Sequence, residues 1–124
     1  MFALLSGDIG YQASGSFPKR QFKVVQGVYA KDASKKENLW TGVLTSDDLP
    51  YVVNPEKGYL VSSNNRMTSE RVQHGISHAF SNTHRAVRIS ELLEDLIKSE
   101  KPIRVREMQE VTNDVLDIQA RASL

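Results

Sequence analysis

The chain contains no cysteine among its 124 residues. Disulfides, thiolate metal sites and a cysteine nucleophile are therefore excluded. It also lacks an excess of either charge, because 16 Lys and Arg set against 15 Asp and Glu leave a net +1. These charges are spread along the chain with no basic stripe that could track phosphates, so nucleic acid is not an expected partner. Long apolar runs are missing as well. The short run at Met1 to Leu5 has neither a basic leader nor a continuation, so it reads as a strand and not as a secretory or membrane segment. No membrane partner is expected. A chain that opens directly on strand-like sequence predicts that its natural start lies elsewhere. What remains, 40% hydrophobic and 25% charged residues, suits one globular segment held together by packing alone.

Local patterning divides that segment in two. Phe2 to Leu5 and Ile9 to Ala13 flank the turn-rich Ser6-Gly7-Asp8 and predict a β-hairpin, with Gly15 and Pro18 punctuating its exit. Phe22 to Tyr29 alternates well enough for a further strand, weakened by Gly27. Lys31 to Asn38 reads as a charged loop, and Trp40 to Leu44 as a short apolar stretch. Ser46-Asp47-Asp48 predicts a turn into extended Tyr51-Val52-Val53. Asn54-Pro55-Glu56-Lys57-Gly58 predicts another turn, after which Tyr59 to Ser62 resumes as a strand. The carboxy-terminal third changes period. Ile89, Leu92, Leu93, Leu96 and Ile97 share one helix face, with Glu91, Glu94, Asp95 and Lys98 on a solvated one. Pro102 ends that helix, and Met108, Val111, Val115 and Ile118 set up a second by the same spacing. The order, strand-rich residues 1–66 followed by a helical hairpin over 83–122, is that of an α+β fold.

Chemistry concentrates at Ser62-Ser63-Asn64-Asn65-Arg66, where amide and guanidinium donors gather after the last expected strand. Composition alone favours a plainer reading, a polar loop with an Asx turn. His74 and His78 have the i,i+4 spacing of a zinc pair, with His84 nearby, but Gly75 argues against a rigid helix there. Ser90, Glu91 and His84 contain the residue types of a hydrolytic triad, a combination that any chain of this size holds by accident. Trp40 and Tyr59 are expected in the core or in a pocket wall.

A collinear series of short motifs adds to these patterns. Gly7-Asp8-Ile9-Gly10-Tyr11 with Gly15, Pro18 and Arg20 comes first, then Trp40-Thr41-Gly42 and Leu49-Pro50. Asn54-Pro55-x-x-Gly58-Tyr59, Asn64-Asn65-Arg66, His84 to Ile89 with Leu92-Leu93, and finally Met108-Gln109 and Asp114-Val115 complete it. In order and approximate spacing this series resembles the penicillin acylase (penicillin amidase) family of N-terminal-nucleophile hydrolases, over nearly the whole chain.

The resemblance implies an internal stretch of the β-subunit region, residues 1–124 forming part of the family's αββα fold. It also implies hydrolysis of small-molecule amides. A self-processed precursor exposes a serine that attacks the amide carbonyl, with its own α-amine as the base, and water then releases the acyl-enzyme. Asn64, by its place after Gly58-Tyr59, matches the family's side-chain oxyanion donor. Arg85 matches an arginine that the family sets beside the nucleophile and this asparagine, where its fork would orient the Asn64 amide. The expected partner is the remainder of the acylase chain or its α-subunit.

Two departures stand out. The family's nucleophile segment begins Ser-Asn-x-Trp, whereas the Ser-Asn pairs here, Ser63-Asn64 and Ser81-Asn82, have no Trp in that place. Asp8 also stands where the family often has Asn. Some members hold a structural calcium, but Asp32, Asp47 and Asp48 fall at positions that do not match its ligands, so no cofactor is expected. The rival expectations are a non-catalytic remnant that keeps the fold for binding or assembly, and a small stand-alone domain unrelated to catalysis.

Overall fold

The computed structural model describes residues 1–20, 29–67, 76 and 80–122. Of the strand expected over Phe22 to Tyr29 all but Tyr29 lies outside the described residues, as do the histidines His74 and His78. Contacts divide the chain into two compact units, Met1–Leu60 with Arg66–Phe80, and Val61–Asn65 with Ser81–Leu124.

The first unit holds the strands. β1 (Phe2–Ala3) and β2 (Ile9–Gln12) form the expected antiparallel hairpin, with Phe2 opposite Gly10 and Ala3 opposite Ile9. Its turn is closed by Gly7 N–H to the Leu4 carbonyl at 3.0 Å and Leu4 N–H to the Asp8 carbonyl at 2.8 Å. Gly7 sits at φ 93°, where a Cβ would clash with the backbone. Gly10 has a different reason to be glycine. The Phe2 ring lies over it so closely that a Cβ would meet the ring at 2.1 Å. β5 (Tyr51–Val53) pairs with the other edge of β2, completing a three-stranded sheet in the order β1-β2-β5. Ala13 N–H to the Pro50 carbonyl and Asn54 N–H to the Ile9 carbonyl extend that pairing past both ends of β5.

β3 (Pro18–Arg20) and β4 (Trp40–Val43) make a separate two-stranded sheet, irregular between Lys19 and Arg20. The stretch from Pro18, expected only as punctuation, is thus a strand. Trp40 is not in a core: it is 65% exposed, with the Arg20 guanidinium 5.8 Å from its ring centroid. Half-buried Tyr59 carries the Lys57 ammonium at 4.5 Å. The charged loop and the turn after it each contain one turn of 3₁₀ helix, Lys36–Asn38 and Ser46–Asp48. Asp32 binds the Ser34 N–H and hydroxyl. Asp48 binds the Thr45 N–H and hydroxyl and the Lys19 ammonium at 3.1 Å.

Helices make up the second unit. α1 (His84–Lys98) follows the predicted periodicity, burying Ala86 and Leu93. It stops because Ser99 N–H and hydroxyl turn back to the Leu96 carbonyl and Glu100 enters the left-handed region at φ 56°. α2 (Val105–Thr112) begins where the Glu107 carboxylate accepts the Arg104 N–H at 2.8 Å. The second helix expected over Met108 to Ile118 is corrected to two, since α2 ends at Thr112 and a four-residue α3 (Ile118–Arg121) follows an extended link. The cause is a pair of aspartates that compete for backbone donors. Asp114 turns onto Arg88 and onto its own Leu116 N–H, while Asp117 caps α3 through the Gln119 and Ala120 N–H groups. Val115, expected on a buried face, is 94% exposed.

The expected strand at Tyr59 to Ser62 is also absent. Its alternation survives without a ladder: Val61 and Ser63 are buried, Ser62 and Asn64 exposed. Strands followed by helices is the mixed order anticipated for an α+β chain.

Candidate active site

Asn64 and Arg85 belong to the same unit and touch. Thr83 precedes α1 and Arg85 lies in its first turn, which brings the guanidinium to the loop at residues 61–65. Arg85 Nη2 donates to Asn64 Oδ1 at 2.6 Å and to the Ser63 carbonyl at 2.8 Å. A guanidinium can only donate, so the amide atom facing it must be the oxygen. The Asn64 NH₂ group is thereby turned away from Arg85, and among the described residues it donates to no protein acceptor.

The backbone beneath this pair is held as well. Asn64 lies in the left-handed region at φ 63°, a conformation asparagine tolerates better than most residues. Its carbonyl accepts the Ser81 N–H at 2.8 Å. Asn65 Oδ1 accepts the Ser63 N–H at 2.9 Å and faces the Ser63 hydroxyl at 3.4 Å. This is not the forward Asx turn that composition allows, because the acceptor follows its donor in the chain.

The other asparagine of the motif series, Asn54, lies in the first unit. There its Oδ1 accepts the Ile9 N–H at 2.9 Å and its Nδ2 donates to Asp8 Oδ1 at 2.7 Å. Hydrogen bonds from Ser6 and then Asn54 hold the Asp8 carboxyl below the usual carboxylate range. Asp8 and Asn54 therefore tie the β1–β2 hairpin to the end of β5. Arg66, grouped with the donors by sequence, also lies in the first unit, 5.7 Å from the Phe80 ring.

The penicillin amidase family model matches residues 1–124, the whole chain. The chain belongs to the penicillin amidase family. No solved structure matches it. Membership relates the chain to hydrolases, and within this amidase-family chain Asn64 and Arg85 are the two expected site residues that the fold brings together.

Other combinations do not assemble. Among the described residues no hydrogen bond joins Ser90, Glu91 and His84, and the Glu91 carboxylate is instead taken by Arg88 at 3.2 Å and by Arg121 at 2.7 Å. Glu91 is thus half-buried and paired, not on a solvated face. Arg88 also grips Asp114 with two bonds of 2.9 and 2.7 Å. This network of Arg88, Glu91, Asp114 and Arg121 went unseen in the sequence. Only the i,i+3 pair of Arg88 and Glu91 leaves a local signal. Arg121 holds Glu91, and Arg88 holds Asp114, below the usual carboxylate range. A cleft of about 850 Å³ adjoins the network in the same unit, walled by Ile89, Leu92, Met108 and Val111, with Arg85 and Arg88 in its lining.

Proposed function

We propose that this chain supplies the oxyanion-binding half of an amidase active site, acting on linear amide C–N bonds, with Asn64 as donor and Arg85 as its positioner. The observation that carries this proposal is the 2.6 Å bond from Arg85 to Asn64 Oδ1. It occupies the acceptor end of the amide and leaves the NH₂ end for a substrate.

The chemistry needs such a donor. When a serine hydroxyl adds to an amide carbonyl, its proton passes to a base and the carbonyl π electrons collect on oxygen. An amide NH₂ aimed at that oxygen stabilises the charge without carrying a proton it could lose. Collapse of the intermediate expels the amine with the transferred proton and leaves an acyl-serine, which water opens by the same two steps. The serine, with its α-amine as base, comes from the remainder of the acylase, because this chain has no Ser-Asn-x-Trp segment. Leu5 at 110%, Val115 at 94% and Tyr51 at 71% exposure provide apolar surface for that remainder to cover. The chain alone should be inactive.

In the complete amidase, Asn64→Ala should lower kcat by about two to three powers of ten. Unchanged kcat, or hydrolysis of a chromogenic phenylacetyl anilide by the 124-residue chain alone, would overturn the proposal. The rival reading is a non-catalytic remnant that keeps the fold for assembly. If the complete protein binds its partner segment yet turns over no amide, that rival stands.

A further inference from the structure

We infer that Asn65 is a positioning residue, fixing the left-handed backbone from which Asn64 presents its amide. This role rests on Asn64 being the oxyanion donor. Its own support is the way three contacts bracket one residue. Asn65 Oδ1 reaches back across Asn64 to the Ser63 N–H at 2.9 Å. Ser81 N–H holds the Asn64 carbonyl at 2.8 Å. Arg85 Nη2 then spans the Ser63 carbonyl and Asn64 Oδ1, at 2.8 and 2.6 Å.

Each contact does a different job. Arg85 decides which end of the amide faces outward, but it can follow the side chain if the backbone moves, because its own side chain is long and flexible. Ser81 fixes the carbonyl that follows the Asn64 Cα. The Asn65 bridge closes a ring around the peptide that precedes it, which contains the φ rotation of Asn64. At φ 63° that rotation is stable for an L-residue only when its surroundings hold it. Ser63 is also the buried polar residue of this loop, 8% exposed, so its N–H has little water to turn to once the Asn65 oxygen is removed. Without the bridge the preceding peptide is free to rotate toward the more populated extended region, which swings the Asn64 Cβ and its amide away from the carbonyl oxygen. Displacement of about 1 Å at a reacting group can cost about a hundredfold in rate.

The test uses Asn65→Ala and Asn65→Asp, the second keeping an oxygen for the Ser63 N–H, beside Asn64→Ala in the complete amidase. Asn65→Ala should lower kcat by about ten- to a hundredfold, with KM changed about twofold or less, and Asn65→Asp should recover most of that loss. Amide exchange in the complete amidase gives an independent measure. In Asn65→Ala the Ser63 N–H should exchange at least about tenfold faster while the α1 amides keep their protection. Unchanged Ser63 exchange, unchanged kcat, or failure of Asp to rescue would each overturn the positioning role. Loss of α1 protection together with kcat would also overturn it, by showing a general loss of structure. If Asn64→Ala leaves kcat unchanged, the donor role itself fails, an outcome separable from the exchange result at Ser63.

Discussion

Asn54 and Asn64 share a residue type and a left-handed backbone, at φ 46° and 63°, yet their amides are used in opposite ways. In the strand-bearing unit Asn54 employs both ends, accepting from Ile9 and donating to Asp8. In the helical unit Asn64 accepts from Arg85 and keeps its donors unengaged among the described residues. An asparagine satisfied at both ends is a fastener. One satisfied only at its oxygen, and by a residue that can only donate, is oriented without being consumed. The carboxylates differ in parallel. Asp8 is held by the neutral donors Ser6 and Asn54, whereas Glu91 and Asp114 are held by guanidinium groups.

The sharpest way to break this comparison is to make the same change at both positions. Asn64→Asp keeps an oxygen for Arg85 but removes the NH₂ donors. In the complete amidase it should lower kcat by about two to three powers of ten and leave the melting temperature unchanged or higher. Asn54→Asp keeps the bond from Ile9 but sets a carboxylate against Asp8, so its main effect should be on folding. Its melting temperature should fall by several degrees, on the order of 5 °C, with kcat much less affected. If the two variants behave alike, the distinction between fastener and donor is wrong.

A smaller effect is expected at Arg85. Both acceptors are held by the one nitrogen Nη2, and lysine keeps the charge and a nitrogen donor but loses the rigid planar fork that fixes where that nitrogen sits. Arg85→Lys should therefore lower kcat by about tenfold, less than loss of the amide itself. A variant with full activity would show that charge alone suffices.

The smallest effect separates the two regions by solution conditions. Asp8, Glu91 and Asp114 are all depressed in the folded chain. The stability they contribute is thus present above the ordinary carboxylate range and is lost as pH falls through their lowered values. Salt should discriminate where acid does not. Raising ionic strength to about 1 M screens the part-buried and exposed ion pairs of the helical unit, and should weaken α1–α3 amide protection more than that of the hairpin. Equal loss in both units would remove the contrast between neutral and ionic fastening.

Legibility in the sequence followed the range of the forces involved. The β1–β2 hairpin, the turn at Asn54 to Gly58 and helix α1 were readable because turn residues and a 3.6-residue apolar period act within a few positions. The turn bond from Gly58 N–H to the Pro55 carbonyl at 2.8 Å is such a case. The break between α2 and α3 was not readable, since the apolar spacing continues through it and the local aspartate caps at Asp114 and Asp117 act together with the Asp114 bond to Arg88, 26 residues away. The missing strand at Tyr59 to Ser62 belongs to the same class. Its alternation is real, but a strand also needs a neighbour for its backbone, and none is formed there among the described residues.

By itself, then, the sequence determined the family, the order of strands before helices, and Asn64 and Arg85 as the residues to watch. Those conclusions depend on motif order and local periodicity. Only the tertiary structure decided that Arg85 faces the oxygen of Asn64, that Asn65 braces the turn from behind, and that Asn54 is tied down by Asp8. Hydrogen bonds across 21 and 46 residues of chain make the first and last of those choices, and the Asn65 bond, though it spans two residues, depends on a side-chain direction that the residue types alone leave open.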